Sequence, residues 1–297
     1  MIKHSVPKPM LPLRRLMRLP DLARKCCWSF LLLLSWPTLC SGAFDRFMVG
    51  ARPTGLGGAF VGLADDANAA WSNAAGLGFL SHSEISTLFS RPFGLRELQN
   101  LQLVAVIPSR YGGAGVVFNT YGSKMYRETV MGISAGRRVL SALSLGVGAR
   151  ILSLSIAGYG STHLFDWQGS VFIQLPAAVK AGLVIEGLNS PRFEVGKNRV
   201  PRTVHAGLSK KTDRVMLSAQ IDISGIAPNS YRVGQEFSIS PQLYVRAGIS
   251  TAPSVFYAGL GVRKEHLHVS YSIASHPTLG FTHLISFSIG LTEEREG

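Results

Sequence analysis

Histidines at short spacings are the first candidates for chemistry in this chain. His266 and His268 lie two residues apart, so on a strand they would share a face, and His205 and His283 are further potential metal ligands. No cysteine follows Cys40, and no carboxylate clusters with these histidines in the sequence. The residue types therefore give little support to a metal site or to a Ser–His hydrolase dyad. We expect no metal, no cofactor and no enzymatic activity.

Three glycine-rich stretches could be mistaken for phosphate-binding loops. Residues 112–115, 146–148 and 259–261 each lie inside a segment in which apolar residues alternate with polar or small ones. Glycine inside a strand relieves crowding where the strand bends or where another backbone approaches it. We therefore interpret these glycines as strand positions and expect no nucleotide site.

Nine charged side chains lie among the polar positions of alternating apolar segments. They are Arg150, Asp166, Lys180, Glu186, Arg214, Asp222, Glu236, Arg246 and Arg263. An Arg or Lys that faced lipid would cost about 2–4 kcal/mol near the membrane midplane. If the segments cross a membrane, these side chains must line an enclosed lumen. There they could pair with one another or with an internal segment, or they could contact a substrate.

Period-two alternation after residue 82 predicts the elements that carry these side chains. In 214–224, for example, Val215, Leu217, Ala219 and Ile221 alternate with polar or small residues, as expected for a strand with one apolar face. The predicted strands are 83–92, 100–108, 113–121, 125–136, 140–157, 163–175, 178–189, 200–210, 214–224, 231–240, 243–250, 254–264, 266–275 and 280–292. About fourteen strands of this length are typical of a bacterial transmembrane β-barrel. A soluble β-sandwich or solenoid would also alternate, but closely spaced strands with ionisable polar faces favour the barrel.

The predicted connections support a barrel with two different rims. Alternate turns are tight, as at 108–110, 136–138 and 264–265, and the connections between them are longer, above all 190–198. Short turns on one rim and longer loops on the other are typical of an outer-membrane barrel whose chain ends both lie in the periplasm.

Residues 1–43 have the composition of a secretory signal peptide. They hold seven of the 30 Lys and Arg residues but one of the 17 Asp and Glu residues, followed by a short apolar run and by small residues before a cut after Ala43. All three cysteines lie here, so the mature chain would have no thiol, which is compatible with an oxidising compartment. Without this segment the net charge falls from +13 to about +7. The basic excess therefore does not indicate nucleic-acid binding.

Residues 44–82 interrupt the strand pattern and are rich in small residues. Short helices are predicted near 55–63 and 66–71, and Asp65 or Asp66 is a candidate cap for the second. The segment is too small to be a domain. It has the size of a compact plug inside a barrel formed by residues 83–297.

This segment resembles the amino-terminal hatch of the FadL and PorV/PorQ group of outer-membrane proteins. The resemblance is carried by Gly50-Ala51-Arg52-Pro53, Gly57-Gly58-Ala59-Phe60, Ala64-Asp65-Asp66 and Trp71-Ser72-Asn73-Ala74-Ala75-Gly76-Leu77, and by the last hairpin, 269–288. Ala74 stands where the family has a proline, and the chain ends in 292–297 without an aromatic residue. The resemblance implies a fourteen-stranded barrel with a hatch in its lumen.

The resemblance implies two alternative functions. A FadL-type protein would pass hydrophobic small molecules across the outer membrane, whereas a PorV-like protein would receive exported cargo as part of a protein secretion system. Either role implies contact with outer-membrane lipid and with the barrel-assembly machinery. The hatch residues expected to take part are Gly50, Gly57, Gly58, Asp65, Asp66, Asn73 and Gly76.

Overall fold

The computed structural model describes Phe44, residues 49–191 and residues 199–291. Two short α-helices, α1 (Ala51–Gly55) and α2 (Ala69–Ser72), and a 3-10 helix (Ala74–Phe79) precede the first strand, and a second 3-10 helix (Pro92–Gly94) follows it. The strands are β1 (Ser83–Arg91), β2 (Gln99–Ser109), β3 (Gly112–Gly122), β4 (Tyr126–Leu140), β5 (Leu143–Ile156), β6 (Gly160–Leu175), β7 (Val179–Glu186), β8 (Thr203–Lys211), β9 (Val215–Ser224), β10 (Ser230–Ser238), β11 (Leu243–Thr251), β12 (Ser254–Lys264), β13 (Leu267–His276) and β14 (Gly280–Leu291). The predicted signal peptide, the tail 292–297 and most of the loop 190–198 lie outside the described residues.

The described strands form one closed antiparallel barrel. Each strand pairs with its neighbours in sequence, and β14 pairs with β1, from Ser83 opposite Leu291 to Arg91 opposite His283. Closure leaves no unpaired sheet edge, which is how a sheet satisfies its backbone hydrogen bonds in lipid. The prediction of an antiparallel barrel of about fourteen strands is confirmed.

The two faces of the barrel wall differ in chemistry as the alternation predicts. On β2, Leu101 and Leu103 are 47% and 44% exposed on the outer face, whereas Gln102 and Val104 point inward and are buried. Ile133 on β4 is 65% exposed. An apolar outer surface that recurs from strand to strand suits contact with acyl chains, and the inward face carries the small and polar residues.

The two rims share short connections, and the long ones lie at one rim only. At the rim where β1 begins and β14 ends (the terminal rim), connections have two to four residues, whereas the opposite (distal) rim includes 92–98 and 187–202. One predicted turn is wrong. β4 continues through Arg137 and Arg138, which pair with Leu145 and Ser144, and the chain turns at 141–142. The basic pair suggested a turn, but pairing with β5 extends the strand.

The helices before β1 are shorter than predicted, and the first lies almost entirely before its predicted range. Residues 55–63 are mostly turns, with α1 just before them, and α2 begins at Ala69. Neither Asp65 nor Asp66 caps α2: its N-cap is Asn68, whose side chain makes no capping hydrogen bond. Asp66 instead accepts a hydrogen bond from the Asn68 backbone N–H. Among the described residues, no helix combines the length and the apolar character needed to cross a membrane.

Candidate functional site

Arg52 is the centre of the charged contacts made by residues 49–82, here called the N-terminal segment. Its guanidinium lies 2.7 Å from an Asp65 oxygen, 2.8 Å from an Asp66 oxygen and 3.0 Å from an oxygen of Glu236 on β10. It also lies 5.6 Å from the centroid of the Phe60 ring. Burial disfavours the Asp65 carboxylate, but attraction to Arg52 outweighs this and lowers the pKa of Asp65 below its usual value. One side chain thus joins two turns of the segment to the barrel wall.

Side chains of the inward face accept hydrogen bonds from backbone N–H groups of the N-terminal segment. Gln220 Oε1 on β9 accepts from both Phe60 N and Val61 N, at 3.1 and 3.0 Å. Buried polar backbone needs such partners because no water reaches it. The other acceptors of this kind among the described residues are Glu84 on β1, Gln102 on β2, Ser170 on β6 and Ser286 on β14. The wall therefore binds the segment from several sides.

The glycines expected to take part in the site are positions of close backbone approach. A Cβ on Gly57, which has a φ of +68°, would lie 2.9 Å from the carbonyl oxygen of Ile249 on β11. Gly58 and Gly76 are similarly crowded, by Arg232 and by the Ala64 carbonyl. Gly50 donates its N–H to Gln102. Gly57 and Gly76 therefore need glycine because of close backbone approach, whereas Gly58 also borders the cavity described below.

Asn73 holds the shape of the N-terminal segment. It is fully buried, its Nδ2 donates to the Val61 carbonyl oxygen at 2.9 Å, and its Oδ1 accepts from Ala75 N at 3.1 Å. The side chain thus connects the turn near residue 61 to the start of the 3-10 helix at Ala74. This is a structural role.

Cross-strand register explains the main ion pairs of the inward face. Arg150 on β5 lies opposite Asp166 on β6, and Glu236 on β10 lies opposite Arg246 on β11. Directly opposed side chains on one face of a sheet are close enough to interact. Arg150 Nη2 lies 2.5 Å from an Asp166 oxygen, and Arg246 Nε lies 2.6 Å from Glu236 Oε2. These four predicted lumen residues therefore pair within the wall.

A second group of polar side chains lies next to Arg150 and includes two more of the predicted residues. The charged wall, as the whole set is called here, consists of Arg150, Asp166, Glu186, His205, Asp222 and Arg232. Arg150 Nη1 lies 3.0 Å from Glu186 Oε1. His205 on β8 lies opposite Asp222 on β9, with 2.7 Å between Nδ1 and Oδ1, and Arg232 Nε lies 2.5 Å from the other Asp222 oxygen. His205 Nε2 lies 3.8 Å from Glu186 Oε2, so these contacts form a continuous row along the wall from β5 to β10.

Three predicted lumen residues lie outside these ion pairs. Lys180 is half-buried on β7, close enough to stabilise the Asp65 carboxylate electrostatically. Arg263 is exposed on β12, and its guanidinium lies 5.4 Å from the ring of Tyr244. The expectation for Arg214 is wrong: it is exposed in the connection before β9, because the strand begins one residue later than predicted.

A cavity of about 510 Å³ lies between the N-terminal segment and the inward face, towards the distal rim. Part of the lining is apolar, where Phe44, Trp71 and Val200 pack against the buried side chains of Val130 and Leu152. This part adjoins the charged wall, since Arg150 and Leu152 are both inward positions of β5. The lining residues of the charged wall are Arg150, Asp166, Glu186, His205, Asp222 and Arg232. Its volume is in the range that holds a small organic molecule. Apolar and charged lining next to each other suits a largely apolar ligand with one polar end.

Comparisons with known proteins relate the chain to solved β-barrel channels. No protein-family model and no curated protein matches it. A structure of the CymD monoaromatic hydrocarbon channel superposes with a TM-score of 0.65 at 12% identity, over 85% of this chain and 100% of that one. Two TodX monoaromatic hydrocarbon channel mutants, deltaS2 and deltaS2S3, give TM-scores of 0.53 and 0.51 at 13% and 14% identity, covering 76% of this chain and 95% of theirs. This chain shares their fold.

The candidate residues from sequence omit several side chains of the site. Arg52 is part of the motif that carries the family resemblance. The candidate residues chosen from that motif are mainly glycines and acidic residues, and they do not include Arg52. In the sequence His205 is a candidate metal ligand, whereas the structure places its Nδ1 2.7 Å from Asp222 Oδ1. Among the described residues, no group of three or more His, Cys, Asp or Glu side chains is placed to hold a metal ion. Arg232 also lies on the inward face of its strand, a position that the alternation of β10 indicates.

Proposed function

We propose that this chain is an outer-membrane channel for hydrophobic small molecules, of the FadL type, in which residues 44–82 act as a hatch within the lumen. The observation that carries the proposal is the cavity between the N-terminal segment and the charged wall, with apolar lining from Phe44, Trp71 and Leu152. The similar folds of monoaromatic hydrocarbon channels support it, as does the resemblance of the segment to the hatch of that family. No catalytic step is part of the proposal.

Tryptophan fluorescence tests ligand binding in the cavity. After residue 43 the chain has two tryptophans, Trp71 in the cavity and Trp167 exposed on the outer face. In a Trp167→Phe background, toluene should change the Trp71 emission saturably. Val130→Phe, which narrows the apolar side, should abolish the change, whereas the outward Val147→Phe should leave it intact. Absence of saturable binding in the parent protein would contradict the proposal.

Disulfide locking tests whether the hatch must move for transport. Ala51 N lies 2.8 Å from Ser286 Oγ on β14, so cysteines at these two positions should lie close enough to be oxidised to a disulfide. The chain has no cysteine after Cys40, so the introduced pair would be the only thiols of the processed protein. Cells that express the double variant should take up radiolabelled toluene after reduction but not after oxidation. Equal uptake in both states would exclude hatch movement at this position.

A PorV-like role in protein secretion is the second candidate. Short distal connections such as 123–125, 157–159 and 252–253 favour it, because they leave little loop structure for capturing a small molecule outside the barrel. Cross-linking in intact cells followed by affinity purification should then recover exported cargo or secretion components. Recovery of assembly factors alone, together with positive toluene binding, would support the channel.

A further inference from the structure

The backbone nitrogen of Phe44 lies in the barrel interior against a buried carboxylate. Phe44 N lies 3.1 Å from Glu128 Oε2 on β4, and Glu128 is 6% exposed. The hydroxyl of Tyr126 donates a hydrogen bond to the other Glu128 oxygen. A buried carboxylate oxygen at hydrogen-bond distance is a favourable partner for a positively charged nitrogen at this position.

The Phe44 side chain is held at the same place by apolar packing. Its ring packs against the buried cluster of Val130, Leu152 and Leu164, next to Trp71. Phe44 also lines the cavity. Its nitrogen and its ring are therefore both accommodated by the wall, with a polar partner for one and an apolar pocket for the other.

We propose that the chain is cleaved between Ala43 and Phe44, and that the new α-ammonium group of Phe44 forms an ion pair with Glu128 inside the barrel. A leader-cleaving endopeptidase would add one water across this amide bond, leaving a carboxylate on Ala43 and an ammonium on Phe44. Ser41 and Ala43 supply the small residues that such a cut requires at the third and first positions before it.

Cleavage at this bond changes the chemistry of the contact. Before it, Phe44 N belongs to an amide and offers one neutral hydrogen to Glu128. After it, the nitrogen carries a full charge and three hydrogens, so the contact becomes a charge-assisted hydrogen bond, which is about twice as strong as a neutral one. Processing would thus anchor the new chain end beside the cavity. The ion pair would form whichever molecule passes through the barrel.

Two measurements on protein purified from outer membranes test the proposal. Intact-mass and amino-terminal sequencing should show a chain that begins at Phe44. Acetylation with a water-soluble amine reagent at pH 7, followed by peptide mass spectrometry, should then modify the Phe44 amine at least about tenfold more slowly in the folded protein than in the denatured one. Ion pairing lowers the fraction of free amine, and one pKa unit corresponds to a factor of ten.

Glu128→Gln should raise the acetylation rate of the folded protein towards the denatured rate. Glu84→Gln is the matched control, because Glu84 is also buried and also accepts a hydrogen bond from the N-terminal segment, at Ala67 N. It should leave the Phe44 amine protected.

Three outcomes would overturn the proposal. They are a chain that begins at another residue, a Phe44 amine as reactive in the folded parent protein as in the denatured one, and equal deprotection by both glutamine variants. The first two are measured on the parent protein, so they remain decisive even if Glu128→Gln fails to assemble.

Discussion

Replacing Arg52 by Gln should release the N-terminal segment while the barrel remains folded. The substitution leaves Asp65, Asp66 and Glu236 without the guanidinium that contacts all three. Removing one partner of a buried ion pair costs about 3–5 kcal/mol. The lower end applies here, because the Asp65 side chain is 28% exposed and Glu236 keeps Arg246 at 2.6 Å. About 3 kcal/mol corresponds to a roughly hundredfold larger population of released segment.

Hydrogen exchange measured by mass spectrometry in detergent can detect this release. The amides of Phe60 and Val61, which donate to Gln220, should exchange about a hundredfold faster in Arg52→Gln, in proportion to the larger released population. Strand amides should keep their protection. Arg110→Gln is the matched control, since Arg110 is exposed and its guanidinium lies over the ring of Tyr111.

A second substitution tests whether the unpaired charges cause the faster amide exchange of Arg52→Gln. Adding Asp65→Asn to Arg52→Gln removes one of the stranded carboxylates, so the double variant should regain part of the lost protection. Unchanged exchange in Arg52→Gln would refute the reasoning, because the ion pairs would then contribute nothing to docking. Equal loss of protection in the strands would also refute it, because the effect would be global unfolding.

Three further substitutions test other parts of the structure. Ile133→Arg, on the outer face in the middle of β4, should destabilise the folded barrel by about 2–4 kcal/mol in urea titrations from lipid vesicles, whereas Leu140→Arg at the terminal rim should cost about 0–1 kcal/mol. Gly62→Val should prevent docking of the N-terminal segment, because a Cβ there would lie 2.5 Å from the carbonyl carbon of Gly207, and limited proteolysis should then cut the segment. Asn73→Ala should cost about 1–3 kcal/mol of docking free energy through its lost hydrogen bonds, measurable as a 5- to 150-fold faster amide exchange in the segment.

The strands could be predicted because their signal is local. One apolar face against lipid and one polar face inside produce alternation that is visible within each strand, as in the predicted 214–224 and the observed Val215–Ser224. The helices before β1 carry no such signal, because both their faces are covered by the wall or by the segment itself. Small residues occur throughout that stretch, so the helix boundaries at Ala51 and Ala69 could not be located from periodicity.

Ion-pair partners could not be predicted because they depend on register. The predicted turn at 158–162 would place Arg150 opposite Ser170, whereas the observed turn at 157–159 places it opposite Asp166. A change of two residues in the centre of a hairpin moves the partner by four positions along the next strand. A strand can be predicted correctly despite an error of two residues in the turn, but a specific ion pair cannot. Contacts between the N-terminal segment and the wall, such as that of Arg52 with Glu236, have no local signal at all.

The distribution of charges bears on how readily the N-terminal segment could leave the wall. Arg52 pairs with Asp65 and Asp66 within the segment itself, and Glu236 pairs with Arg246 within the wall. Of these contacts, the one between Arg52 and Glu236 is lost when the two parts separate, and each part keeps its own counter-ions. After separation, each carboxylate of this group therefore still has a cationic partner. The Arg52→Gln substitution, in contrast, removes that partner from Asp65 and Asp66. The remaining free energy that opposes separation comes from apolar burial and from hydrogen bonds such as that of Val61 N with Gln220. Increased salt should therefore promote release of the segment far less than Arg52→Gln does.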